Sequence, residues 1–174
     1  MVTPTKPLAK TPAARPVVEA DRLTEAIELL FFAYRDFISD PDEILARYDF
    51  GRAHHRVVHF VGRNPGITVA ELLNILRITK QSLARVLKQL IERGFVEQET
   101  GKQDRRQRLL YLTAQGRELE QRLAAPQRAR VAAALEKAGP GAGEAWRTVL
   151  LELVNEEDRT EVERRIAKAA AEQR

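Results

Sequence analysis

KQSLARVLKQLIERGFVEQETGKQDRRQRLLYLTAQG, from Lys80 to Gly116, holds a helix-forming segment, two strand-forming segments and a strongly charged tip between them. Its first third puts Leu83, Val86, Leu87, Leu90 and Ile91 on one stripe at helical spacing. Lys80, Gln81, Ser82, Arg85, Lys88 and Gln89 fall mainly on the other faces. Thr79 is placed to cap the start of this helix and Gly94 to stop its end. FVEQE (Phe95–Glu99) and RLLYL (Arg108–Leu112) read as short strands, each alternating enough to cover one side of a core. The tip between them and its exit carry Lys102, Arg105, Arg106 and Arg108 against a single acid, Asp104.

Upstream, Thr68-Val-Ala-Glu71 is a capping box, in which hydroxyl and carboxylate reciprocally satisfy free backbone N–H groups at a helix start. Arg77-Ile78-Thr79 separates that helix from the next, which makes a helix-turn-helix. A hairpin directly after it makes a winged helix, with the basic tip as the wing. The N-terminal residues of such a second helix reach base edges in the major groove, where Gln suits adenine and Arg or Lys suits guanine. Thr79, Lys80, Gln81, Ser82, Arg85, Lys88 and Gln89 are the candidates there, although lysine and glutamine also suit any exposed helix face. Lys102, Arg105, Arg106 and Arg108 would lie near phosphates and the adjacent minor groove. Asp104 is expected to brace the loop, through the Arg106 guanidinium or through nearby backbone N–H groups. Thr113 would cap the helix that follows.

The rest of the chain reads as helix. Leu23, Ile27, Leu30, Phe31, Tyr34, Phe37 and Ile38 form an aromatic-rich stripe on a helix from Asp21 to Ser39, which Pro41 is expected to end. A second helix runs from Gly51 to Arg63 and stops at Asn64-Pro65-Gly66. Ala114–Ala138 is helical in composition, with Pro126 expected to kink or interrupt it. GPGAG (Gly139–Gly143) breaks the chain again, and one last helix is expected over Ala145–Ala171. The fold class is mainly α with a small β-hairpin wing. The expected divisions are a disordered basic tail (1–19), an N-terminal dimerisation helix and linker (20–48), the winged helix-turn-helix (49–113) and C-terminal dimerisation helices (114–174).

At 174 residues and 44% hydrophobic composition the chain holds one domain with extensions. It has no cysteine, which removes disulfides, thiolate metal sites and cysteine nucleophiles. No apolar run approaches the ~20 residues of a membrane span, and the N-terminus lacks the apolar core of a signal peptide. A reducing cytoplasm fits best. The formal net charge is +4, but residues 77–108 hold nine cations against four acids, and residues 1–16 hold three cations and no acid. Such localised excess is the footprint of a polyanion partner. No nucleophile elbow, phosphate-cradling glycine loop or HExxH motif is present, so catalysis is not expected and no cofactor is called for.

Asp104-Arg105-Arg106 followed by Leu112-Thr113-Ala114-Gln115-Gly116 resembles the DxR…LTxxG signature of the multiple-antibiotic-resistance regulator (MarR) family. ITKQSLARVLKQLIERGFVE is similar to that family's recognition helix and first wing strand, and GRAHHRVVHFVGRNPG most resembles a PetP-like branch. The resemblance spans roughly residues 20–170. It implies a homodimeric transcription factor on double-stranded DNA, with Arg106 as the minor-groove arginine and Thr79–Gln89 as the groove-facing helix. It also implies control by a small-molecule effector bound beside the second helix, which would place Tyr34, His55 and His59 at that site. The surplus apolar surface of the first and last helices supports dimerisation independently.

Two alternatives stay open at this point. His55 and His59, at i and i+4 on one helix face, have the spacing of transition-metal or haem ligands, which would make a metal- or haem-responsive regulator. Two histidines on a helix are more often packing groups, and no cysteine or nearby carboxylate joins them. The other alternative is a winged helix that binds DNA without sequence preference, or that docks onto protein instead.

Overall fold

The computed structural model describes residues 20–101 and 104–171. The basic tail and Lys102 lie outside the described residues. The chain divides into two compact units, one ending at Arg35 and the other beginning at Asp36. Among the described residues the elements are α1 (Ala20–Ala46), α2 (Arg52–Arg63), β1 (Ile67–Thr68), α3 (Val69–Leu76), α4 (Lys80–Glu92), β2 (Val96–Thr100), β3 (Arg108–Leu112), α5 (Ala114–Ala138), α6 (Ala142–Glu152) and α7 (Glu156–Ala171).

The helix-turn-helix forms as its caps require. Glu71 N–H donates to Thr68 Oγ1 at 3.2 Å while Thr68 N–H donates to the Glu71 carboxylate at 2.9 Å, opening α3. Thr79 Oγ1 accepts from Ser82 N–H at 3.1 Å and opens α4. Between the two helices Arg77 sits in the left-handed region at φ 49°, which is how the chain reverses without a glycine. Leu72, Leu83, Val86, Leu87 and Leu90 turn inward to meet Val57, Val58 and Val61 of α2, with Phe95, Val96, Leu110 and Leu112 closing the core from the sheet.

The sheet has three antiparallel strands in the order β1-β3-β2, where a two-stranded hairpin was expected. Ile67 pairs with Leu110 and Thr68 with Leu109, so the two-residue β1 covers the free edge of β3. Two residues cannot establish an alternating pattern, which is why β1 was invisible to periodicity. On the other edge β2 pairs with β3 from Val96↔Leu112 to Thr100↔Arg108.

Two helix boundaries differ from expectation. Pro41 does not end α1, which continues to Ala46. Proline removes the N–H that the carbonyl four residues back would accept. That carbonyl belongs to Phe37, and it takes a hydrogen bond from Gln127 Nε2 of α5 at 3.2 Å instead. One residue before the proline, Asp40 receives the Arg130 guanidinium at 2.9–3.3 Å, a second link to α5. The last helix is also two: α6 stops at Glu152 and α7 starts at Glu156. Glu156, Glu157 and Asp158 fill the first turn of α7, where carboxylates favour a helix start. Arg159 donates to the terminal carbonyls of Glu152 and Val154 and so caps the end of α6. Pro126 lies inside α5 without dividing it.

In the first unit, side chains from Leu23 to Tyr34 stand largely in solvent, Phe31 63% exposed and Ile27 69%. In the second, Trp146, Val149 and Leu153 of α6 are similarly exposed. Surface of this kind marks an interaction site.

The start of α5 leaves no space at Gly116, where a Cβ would stand 2.0 Å from the Phe95 carbonyl oxygen. Gly116→Ala is therefore expected to lower stability by about 2–3 kcal/mol through overpacking, read as the midpoint of urea unfolding. An unchanged midpoint would show that the contact relaxes freely.

Candidate nucleic-acid interface

The exposed face of α4 carries Lys80, Gln81, Arg85 and Lys88, with Ser82 half-buried beside them. All five hang on a helix whose opposite face is core, so packing turns them outward. The Thr79 hydroxyl is used locally: it accepts from Ser82 N–H and donates to Ser82 Oγ at 2.9 Å. Thr79 thus holds the helix start, while the Ser82 hydroxyl keeps its own proton for an outside partner. Lys88 lies 3.7 Å from Glu92, one turn on, an exposed pair of the kind worth little.

The wing is built on backbone hydrogen bonds. Gly101 N–H donates to the Gln107 carbonyl and Gln107 N–H to the Asp104 carbonyl, both at 3.0 Å. The Asp104 carboxylate accepts from Arg106 N–H at 2.9 Å. Asp104 thus braces the loop through the backbone of Arg106. Arg105 and Arg106 occupy the turn that this closes and are exposed. Arg108 reaches across the hairpin to its register partner, donating to Thr100 Oγ1 at 2.5 Å.

Between α4 and the wing runs an open groove of about 730 Å³. Its floor is apolar, with Val69, Leu73, Ala84, Leu87 and Ile91, and its rim carries Lys80, Lys88, Arg106 and Arg108. Gln98 and Gln107 join the lining and were not among the expected residues. Gln98 is exposed on the same face of β2 as buried Val96, opposite Leu110, and a β-strand glutamine carries no signal of its own in sequence.

Gln89 is exposed on α4 and also has a partner within the protein. Its Oε1 lies 2.7 Å from Nε2 of His54, a core histidine of α2 that is 9% exposed. A link spanning thirty-five residues is not legible in sequence spacing.

The other two histidines share α2 but not one environment. His59 Nδ1 lies 3.6 Å from Glu120 of α5, and both line a cavity of about 680 Å³ with Phe37, Phe60, Arg63 and Arg128. His59 holds the Glu120 carboxyl below its ordinary value, against the opposing effect of burial. His55 is partly buried, and burial first, then the neighbouring His59, pushes its pKa below the ordinary 6.5. Tyr34 belongs to the first unit and is half exposed. Among the described residues no group of three or more histidine, aspartate or glutamate side chains is placed to hold a metal ion. No helix among them is long and apolar enough to cross a membrane.

A sequence profile of the MarR family matches residues 48–107. The HTH-type transcriptional regulator PetP of Rhodobacter capsulatus is 51% identical over 130 residues, covering 75% of this chain and 78% of PetP. Among solved structures, Streptococcus pneumoniae FabT in complex with DNA matches with a TM-score of 0.65 at 20% identity, over 78% of this chain and 94% of FabT. A MarR-family regulator from Silicibacter pomeroyi matches at 0.63 and 21% identity, over 75% of this chain and 92% of that one. At these identities the two structures speak to the fold alone, and it is the winged helix described above.

The depressed pKa of His55 has a consequence for stability. Below 6.5 the unfolded ring takes up a proton that the folded ring refuses until the pH is lower still, so stability falls as pH falls through that window. The urea midpoint is therefore expected to drop less between about pH 7.5 and pH 5.5 in His55→Gln than in the parent. An equal drop in both proteins would assign the loss to other groups.

Proposed function

The chain belongs to the MarR family of transcriptional regulators, and from that premise we propose that it acts as a homodimer reading a near-palindromic site in double-stranded DNA. The observation that carries the proposal is the groove between α4 and the wing, rimmed by Lys80, Lys88, Arg106 and Arg108. A cationic rim set against an exposed polar helix face suits a duplex, with phosphates along the rim and base edges facing the helix. FabT, which shares the fold, has been solved with DNA.

Work divides between two sets of side chains. Lys80, Gln81, Ser82 and Arg85 take the base edges, and Arg106 enters the minor groove. Lys88, Arg105 and Arg108, with Lys102, contribute phosphate contacts that set affinity and its salt dependence. Asp104 shapes the wing by holding the Arg106 backbone. The winged-helix region 49–113 is the reading lobe, and the exposed apolar faces of α1 and α6 supply the dimer contacts. The basic segment 1–19 adds sequence-independent affinity. A two-fold dimer would set its two α4 helices about 34–36 Å apart along the duplex.

The cavity lined by His59 and Glu120 is the place for a small effector, which would shift DNA affinity without any chemical step; the protein is a cytoplasmic regulator and not an enzyme. His55 and Tyr34 stand with it as effector candidates from their positions in sequence.

Genomic fragments selected on the purified protein at about 150 mM salt, a level that suppresses purely electrostatic binding, should yield one near-palindromic motif. Arg106→Ala should flatten that motif. Recovery of no motif by the parent protein would overturn sequence-specific reading. On the recovered operator, Arg85→Ala is expected to lose about 1–3 kcal/mol of discrimination at one base pair in each half-site. Arg105→Ala should weaken all sequences alike and reduce the salt slope by about one per protomer. Identical behaviour of the two variants on operator and random duplex would refute the division. Light scattering should give about twice the 19.7 kDa chain mass; a monomer at micromolar concentration would exclude the dimer.

A further inference from the structure

We infer that His54 and Gln89 form a positioning pair that fixes the rotation of α4 about its axis, and that Gln89 serves DNA reading through this tie instead of by touching a base. The inference rests on the DNA-reading function above and assigns a role within it.

A recognition helix has to be held in rotation as well as in place. Side-chain tips stand roughly 5–6 Å from the helix axis, so a rotation of about 10° moves them by about 1 Å. Displacement of that size is enough to spoil a bidentate contact with a base. The apolar stripe of Leu83, Val86, Leu87 and Leu90 resists such rotation only partly, because hydrophobic contacts are non-directional and cores repack at small cost. Hydrogen bonds have preferred angles and do not slide.

On α4, Gln89 and Arg93 are one turn apart and both reach the segment Tyr48–His54. Gln89 Oε1 meets His54 Nε2 at 2.7 Å. Arg93 donates to the Tyr48 carbonyl, and its guanidinium lies 4.6 Å from the centre of the Phe50 ring. The segment they grip is itself tied together by ring packing. Phe50 stacks on the His54 imidazole at 4.5 Å with 10° between planes, and packs edge-on to Phe95 at 5.3 Å.

The His54 ring has little freedom left. Gly51 N–H donates to Nδ1 at 3.1 Å, so Nδ1 is the acceptor and the neutral ring carries its proton on Nε2. That proton points at the Gln89 oxygen. The same Gly51 is the N-cap of α2, so one imidazole closes the start of α2 and ties the last turns of α4. A buried polar side chain costs stability unless satisfied, and an aromatic hydrocarbon would fill the same space without that cost. What the imidazole adds is direction.

The alternative is that Gln89 turns to a base in the complex and His54 merely packs. His54→Phe keeps the stack and removes both hydrogen bonds. Gln89→Met keeps the length and removes the acceptor. Binding is read on the selected operator, on each of its single-base variants and on random duplex. If the tie positions α4, each variant loses operator affinity about tenfold more than random-duplex affinity, the scale of one well-placed hydrogen bond. The loss is spread over every base pair facing α4, and the double variant is no worse than either single one. Gln89→Glu, whose carboxylate accepts the same Nε2 proton, restores discrimination while the added charge weakens all DNA alike.

Loss confined to one base pair in Gln89→Met, with His54→Phe unchanged, would make Gln89 a base reader and overturn the inference. So would unchanged discrimination in both. If His54→Phe fails to melt cooperatively, the spread or confinement of the loss in Gln89→Met decides alone. A parent protein without operator preference would refute the reading function, not the tie. Hydrogen exchange then tests the pair without DNA: amide protection across Arg85–Glu92 falls in Gln89→Met if the tie holds α4, and stays level if it does not.

Discussion

The carbonyl of Phe95 organises the molecule. It ends the turn after α4, begins the wing, and lies against the first turn of α5. Thr113 N–H donates to it at 3.2 Å, and the Thr113 hydroxyl donates to the neighbouring Gly94 carbonyl at 2.6 Å while accepting from Gly116 N–H. Only glycine fits at position 116, because any Cβ would overlap the Phe95 oxygen. One threonine and one glycine thereby lock the root of both wing strands to a helix of 25 residues. That lock adds to the core packing of Phe95, Val96, Leu110 and Leu112 in setting the rim of the groove relative to α4. The Leu-Thr-Ala-Gln-Gly run therefore acts as a joint between the wing and α5.

What the sequence disclosed and what it hid follow from the range of the forces involved. The caps at Thr68, Thr79 and Thr113, the stripe of α4 and the Asp104 brace were legible because each involves residues two to four apart. Pro41 was misread for the opposite reason. Its missing hydrogen bond is replaced by Gln127, ninety residues from the Phe37 carbonyl that receives it. No local rule anticipates such a donor. The α6–α7 break could have been read locally, since Asn155 followed by Glu156, Glu157 and Asp158 is a helix start. His54 and Gln89 were each visible as residue types, and only tertiary structure shows that they meet.

Acids lie beside several cations near the candidate interface. Glu92 lies beside Lys88, and Asp158 of α7 accepts from Arg77, in the turn before α4, at 2.5–2.6 Å. Exposed pairs such as these contribute about 0–1 kcal/mol. They spread the field of the cations without tying them down, so a phosphate can displace the carboxylate at small cost. Asp104 behaves differently, since it spends its charge on a backbone N–H and leaves the wing arginines exposed.

Directional contacts within the protein and loose pairs at its surface therefore occur on the same helix. The face of α4 proposed to meet DNA carries Lys80, Gln81, Arg85 and Lys88, all exposed, and the Lys88–Glu92 pair at 3.7 Å is loose enough for a ligand to displace. Flanking that face, Gln89 and Arg93, both exposed, contact an aromatic segment whose central imidazole is hydrogen-bonded at both nitrogens. Exchanging the two would fail physically. Strong ties on the outer face would compete with bases, and a loose flank would let the helix rotate beneath them. On the proposed reading, specificity is therefore set as much by the contacts that hold the flank of α4 as by the side chains that would face the duplex.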